Sequence, residues 1–239
     1  MESVSKHDEF DLELPEPTAP ITPHGVRDVL KWLRARWVFL FSGSYIKRSG
    51  IRNVVTINDA VLHCCRIEIS GSNNTLEILP GARAWNVDFR LVGDNLHCRI
   101  GANCRIYGGN FILEDSRSRL HVGDGTTLYA PMVVAQEGGS IVIGQDCLIA
   151  YGTDLRNSDA HSILDANTQE RINPARDIRI RDHVWIGANC QILKGVTVAE
   201  GAIVAARSIV TKDVSQRTLV AGSPLRVLRE NVDWDARRI

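Results

Sequence analysis

Neither sign of charge predominates in this chain of 239 residues, where 28 Lys and Arg balance 28 Asp and Glu. Without a net charge or a long basic run, nothing points to a nucleic-acid partner. No apolar run approaches the roughly 20 residues a membrane-spanning helix needs, and no charged-then-apolar leader opens the chain. A cytoplasmic protein is expected. Cysteine is present but unpatterned: its six copies include no CxxC pair, so neither a secreted disulfide framework nor a thiolate metal site is indicated. The length suits one large domain with short appendages.

The ends differ from the middle. Residues 1–16 hold Glu2, Asp8, Glu9, Asp11, Glu13 and Glu16 against Lys6, and Pro15, Pro17, Pro20 and Pro23 follow. That composition predicts an extended, acidic, proline-rich arm over 1–23. In 24–50, Val26, Val29, Leu30, Leu33 and Trp37 fall at helical spacing, which predicts an amphipathic helix capping an open coil. Five net positive charges between Arg27 and Arg48 leave weak membrane-surface association through 24–48 as the other reading. Ser223 as N-cap, Pro224 at the first helical position and the spacing behind them predict a short C-terminal helix within 222–239.

Between the ends lies a repeat of six. Ile180, Ile186, Ile192, Val198, Val204 and Val210 keep it without a slip, and four residues after each stand Val184, Cys190, Val196, Ala202, Ser208 and Val214. A hexad is neither helical nor alternating, so each reads as a short strand and a corner. Ile57, Ile78, Ile100, Val122 and Ile143 open looser coils at spacings of 21, 22, 22 and 21 residues, against about 18 for three hexads, so extra residues belong at corners such as "GSNN". The architecture implied over 51–221 is all-β: a solenoid of parallel strands with aliphatic rungs stacked inside. Cys98, Cys104, Cys147 and Cys190 fall on the small inward position and read as packing residues. From Ile143 to Ile180 the gap is 37 residues. Two coils plus one residue, or one coil plus an insertion, would fill it; the insertion is favoured because 156–177 has no hexad ladder.

The run "HVWIGANCQILKGVTVAEGAIVAARSIVTKDVSQRTLVAGSPLRVLRE" resembles hexapeptide-repeat acetyltransferases of the xenobiotic and sugar branch. With "RNSDAHSI" and "ERIN" before it, the chain is most similar to O-acetyltransferases of bacterial capsules and surface polysaccharides, including those acting on sialic acid capsules. The resemblance covers about 57–230 and is specific in 143–230. It implies a left-handed parallel β-helix, acetyl-CoA as donor, a sugar or polysaccharide acceptor, no metal, and a homotrimer with active sites between subunits, working in the cytoplasm or at the inner face of the membrane.

Deprotonating a sugar hydroxyl needs a base, and neutral histidine suits that near pH 7. His161, in the inserted loop, matches the family's catalytic position. Asp159 precedes it by two residues and would orient the ring or hold the acceptor, with a solvated loop acid as the competing reading. Arg156 and Asn157 are acceptor candidates on the same footing. Trp185 in "HVWIG" matches the tryptophan lining the acceptor and pantetheine tunnel. Ala188 and Ala206 match small positions along the pantetheine, and Thr211, Lys212, Arg226 and Arg229 match residues meeting the nucleotide phosphates, where cations are expected. For each basic residue alone, a solvated surface is the default. The chain departs from the family at Arg207, where a smaller residue is usual, and at Leu225–Arg226 after "AGSP".

Two other classes compete. A non-catalytic solenoid that binds polysaccharide predicts no coenzyme binding. A zinc enzyme of the carbonic anhydrase type needs three converging histidines, and no pair here has the close spacing of that family. Serine acetylation is less expected, since the large N-terminal helical domain of such enzymes is missing.

Overall fold

A computed structural model describes residues 42–238. The arm expected over 1–23 and residues 24–41 of the expected capping helix lie outside the described residues.

Short strands wind into a three-sided column. The first face stacks Val54–Ile57, Thr75–Ile78, His97–Ile100, Arg119–Val122, Ser140–Ile143, Ile178–Ile180 and Thr197–Val198, every neighbour parallel. The second carries Val61–His63, Thr127–Tyr129, Leu148–Ile149, Trp185–Ile186, Ile203–Val204 and Thr218–Ala221. The third carries Tyr45–Arg48, Arg66–Ser70, Met132–Ala135, Asp154–Arg156, Gln191–Leu193 and Ile209–Val210. Two longer strands, Arg83–Asp94 and Arg105–Ser116, run from the second face onto the third.

Hexad spacing dictates this column. Ile57, Ile78, Ile100, Val122, Ile143, Ile180 and Val198 pair in register down the first face, and from Ile78 onward each is at most 2% exposed. Burying each such side chain stabilises by about 1.5–3 kcal/mol before chain entropy is set against it. Cys98, Cys104, Cys147 and Cys190 are buried among these rungs as expected. The "GSNN" corner behaves as expected too: Gly71 has φ +102°, and a Cβ there would lie 1.9 Å from the Gly93 carbonyl oxygen. Only glycine lets the two coils approach so closely.

The 37-residue gap is one coil plus an insertion. Ile141 pairs with Ile178 and Asp154 with Gln191, so no coil intervenes, and 157–177 forms a loop at the corner between the third and first faces.

Both ends depart from expectation. Residues 45–48, the end of the segment read as a helix, form the strand Tyr45–Arg48 paired with Arg66–Ser70, so the column starts earlier than residue 51. The expected C-terminal helix is absent among the described residues: Arg226–Glu230 is a strand, antiparallel to Thr218–Ala221. Helical spacing is outweighed by an open sheet edge, whose unpaired backbone groups this strand satisfies. Leu225 turns inward at 8% exposure, and Ser223 caps no helix. No helix among the described residues is long and apolar enough to cross a membrane.

Candidate active site

The inserted loop is pinned to the coils on either side of it. At its base, Asn157 is fully buried; its Oδ1 accepts from the Gln136 N–H at 2.8 Å and its Nδ2 donates to the Gln136 carbonyl at 2.9 Å. The neck closes where the Arg176 N–H donates to the Asn157 carbonyl and the Ser140 N–H to Asp177 Oδ1. Glu137, one coil earlier, accepts from the two terminal Arg171 nitrogens at 2.6 and 2.9 Å and from the Ser158 hydroxyl. Lys194, one coil later, donates to Asp159 Oδ2 at 2.5 Å and to the Asn173 carbonyl at 2.9 Å.

Asn173 organises the interior of the loop. Its Nδ2 donates to Asp159 Oδ2 at 2.7 Å and to the His161 carbonyl at 2.8 Å, while its Oδ1 accepts from the Ile163 N–H at 2.6 Å. His161 is therefore fixed by its backbone while its side chain stays exposed. Two carboxylates carry the electrostatic load. Arg171, then Ser158, hold Glu137 down to about 2 from an ordinary 4.5; Lys194, then Asn173, hold Asp159 below its ordinary value.

These contacts redistribute the expected roles. Asp159 is bonded to Lys194 and Asn173 and makes no hydrogen bond to the His161 ring. Asn157 spends its amide on Gln136, so it anchors the loop and presents no free polar group. Arg156 bonds Asp154 through its Nε at 2.9 and 3.0 Å and stays exposed. Glu137, Arg171, Asn173 and Lys194 escaped the sequence reading; only the tertiary fold gives them a common address.

The remaining candidates sit elsewhere on the column. Trp185 is on the second face, paired with Leu148 and Ile203 and 37% exposed. Trp234, also missed, approaches it at 6.1 Å, stacks on His183 at 4.6 Å, and donates its Nε1 to the His183 carbonyl at 2.8 Å. Ala188 and Ala206 lie at successive corners between the second and third faces, where the Arg207 N–H donates to the Ala188 carbonyl. A Cβ on neighbouring Gly187 would come within 2.5 Å of the Ala206 nitrogen, so this edge is built for close backbone packing. Thr211 and Lys212 follow the last third-face strand, and Arg226 and Arg229 stand on the terminal strand; all four are exposed. Trp185, Ala188 and Ala206 thus share one region of the column, whereas His161 stands at a different corner. Among the described residues no three His, Cys, Asp or Glu are gathered as a metal site would require.

A three-sided parallel column with hexad rungs and one pinned, histidine-bearing loop defines a hexapeptide-repeat solenoid. Comparison with known proteins agrees. The family described as bacterial transferase hexapeptide (six repeats) matches residues 177–212. The polysialic acid O-acetyltransferase of Escherichia coli O1:K1 / APEC is 39% identical over 138 residues, covering 58% of this chain and 44% of that protein. That of Neisseria meningitidis is 32% identical over 146 residues, covering 52% of this chain and 68% of that protein. Among solved structures, the polySia specific acetyltransferase NeuO superposes with a TM-score of 0.78 at 33% identity, over 82% of this chain and 90% of that one. The polysialic acid O-acetyltransferase OatWY does so at 0.79 and 30%, over 82% and 93%. The chain spans less than half the length of the Escherichia coli relative. It belongs to the hexapeptide-repeat transferase family, and its column is the left-handed parallel β-helix expected of it.

Proposed function

We propose that this protein is an O-acetyltransferase that moves the acetyl group of acetyl-CoA directly onto a sugar hydroxyl of an acidic surface polysaccharide, such as a sialic acid polymer, or of its precursor. The observation that carries this reading is His161, held by its backbone carbonyl on a braced loop with its ring exposed. Such a group is placed to accept a proton from a substrate it does not itself bury. His161 takes the proton of the attacking hydroxyl as the new C–O bond forms at the thioester carbonyl, and returns it to the departing thiol sulfur. Charge developing on the carbonyl oxygen is met by backbone N–H groups. Asp159 acts through Lys194 and Asn173 to hold the loop.

Ala188 and Ala206 suit the pantetheine amides, since small side chains let them reach backbone partners. Thr211, Lys212, Arg226 and Arg229 offer a hydroxyl and three cations to the phosphates. Arg156 and Trp185 remain for the acceptor. Because His161 and the Trp185 edge occupy different corners of one column, a complete site takes His161 from one copy and the edge from the next, in a homotrimer. The reaction is assigned to the cytoplasm.

Labelled acetyl-CoA incubated with the protein and a panel of capsule fragments tests this. Label should appear as an O-acetyl ester located by NMR on a sugar ring. Absence of transfer to every acidic glycan, with acetyl-CoA bound, would reject the reading.

A further inference from the structure

One edge of the column changes character halfway along. At the corner between the second and third faces the chain turns through a left-handed residue, and the residue before it forms a row: Trp85 before Asn86 (φ +55°), Tyr107 before Gly108 (+76°), Tyr129 before Ala130 (+43°), Tyr151 before Gly152 (+71°), Ala188 before Asn189 (+56°) and Ala206 before Arg207 (+61°). Four aromatics, spaced by 22 residues each, give way to two alanines. Trp85 and Tyr107 stack with centroids 5.0 Å apart and planes 2° apart, and Tyr107 and Tyr129 at 5.1 Å and 12°. The rings are not core: Tyr107, Tyr129 and Tyr151 are 39, 42 and 66% exposed.

The surroundings of the row are polar. A cleft of about 330 Å³ flanks its upper half, lined by Arg66, Asn86, Asp88 and Asn110 among others, and Asp88 Oδ1 is buried there without a hydrogen-bond partner. Arg83 and Arg105, two residues before Trp85 and Tyr107 on the same strands, are exposed.

We propose that this aromatic row is a binding rail for an acidic polysaccharide, laying the chain along Trp85, Tyr107, Tyr129 and Tyr151 and leading it to the acyl end of the donor at Ala188. The inference rests on the transferase reading above. Sugar rings offer C–H faces to aromatic surface, hydroxyls to the Asn86 and Asn110 amides beside the row, and carboxylates to arginines. At a strand spacing of about 4.8 Å, four rings span ~14 Å, the scale of a short oligosaccharide. A second copy of the chain would gain little from stacked tyrosines bordered by a half-satisfied carboxylate, because burying such a group costs free energy unless it is bonded.

The test uses the full chain, a sialic acid polymer and its dimer. Polymer binding is read by intrinsic tryptophan fluorescence without acetyl-CoA; transfer is read as KM and kcat for polymer, dimer and acetyl-CoA. Tyr107→Ala should weaken polymer binding about threefold to tenfold and shrink the preference for polymer over dimer, while Tyr107→Phe retains it; Tyr129→Ala should repeat the result if Tyr107→Ala misfolds. A length preference surviving both alanine variants overturns the rail and leaves the transferase reading standing. Polymer binding that responds to Tyr107→Ala in a protein that acetylates neither acceptor keeps the rail and rejects that reading. A fall in oligomeric state on light scattering would assign the row to contacts between copies instead.

Discussion

The Asn173 side chain donates to the His161 carbonyl at 2.8 Å, so a residue on the returning arm of the inserted loop fixes the backbone of the outgoing arm. The same amide bonds Asp159 and receives the Ile163 N–H, and at 7% exposure it has little competition from water. Asn173→Ala should therefore leave the column folded and misplace His161. We expect kcat to fall about tenfold to a hundredfold, the range that displacements near 1 Å produce, with the melting transition and the KM for acetyl-CoA close to wild type. Full activity in this variant would show that the loop positions itself by other means.

The Glu137–Arg171 pair gives the loop a pH limit. Arg171 holds the Glu137 carboxyl at about 2, below its ordinary 4.5. A depressed carboxylate contributes stability that is fully present above its ordinary value and lost as pH falls through the folded one. Side chains 25 and 32% exposed are partly screened, so the effect belongs to the loop and not to the whole column. Hydrogen exchange at the Ile163 and Ile172 amides, corrected for intrinsic rate, should stay protected above pH 4.5 and open progressively toward pH 2. In Glu137→Gln the amides should be less protected at neutral pH, with a flatter profile; matching profiles would remove the pair from loop closure.

Thiol chemistry separates packing from function. Burial pushes the Cys104 and Cys147 thiols up to about 12 and raises Cys65, Cys98 and Cys190 as well. Only Cys64 is exposed. A disulfide reagent should titrate one thiol per native chain and all six after denaturation. Rapid native labelling of more than one would contradict the burial.

Sharing of the site between copies predicts complementation. His161→Ala supplies an intact donor edge, and Trp185→Ala with Arg226→Ala supplies an intact loop. Mixed after denaturation and refolded together, the two inactive chains should recover a fraction of wild-type activity, since some interfaces would join one good half from each. No recovery in demonstrably mixed oligomers would place the whole site within one copy.

What the sequence discloses follows from how local each feature is. The hexads from Ile180 to Val210 are local and periodic, so the rungs, the column and the inward cysteines could be read directly. The inserted loop is legible as a failure of that period, and His161 becomes a candidate within it only through its likeness to known transferases. The C-terminal strand was not, because helical spacing after Ser223 says nothing of the open edge at Thr218–Ala221. Nor were the loop's partners: Asn173 and Lys194 reach Asp159 across 14 and 35 residues, and folding alone brings them together. Asn157 looked like an acceptor ligand because the sequence does not show that its amide is already spent on Gln136. The aromatic row has a plain signature, one ring every 22 residues from Trp85 to Tyr151, that an eye set on aliphatic hexads passes over.

Acetyl transfer by His161→Ala, compared with wild type at saturating acetyl-CoA and with coenzyme binding measured on the same samples, tests the central claim most directly. The account predicts that kcat falls by about a hundredfold or more, as removal of a general base does, while coenzyme binds as before. Turnover within a few fold of wild type would contradict it.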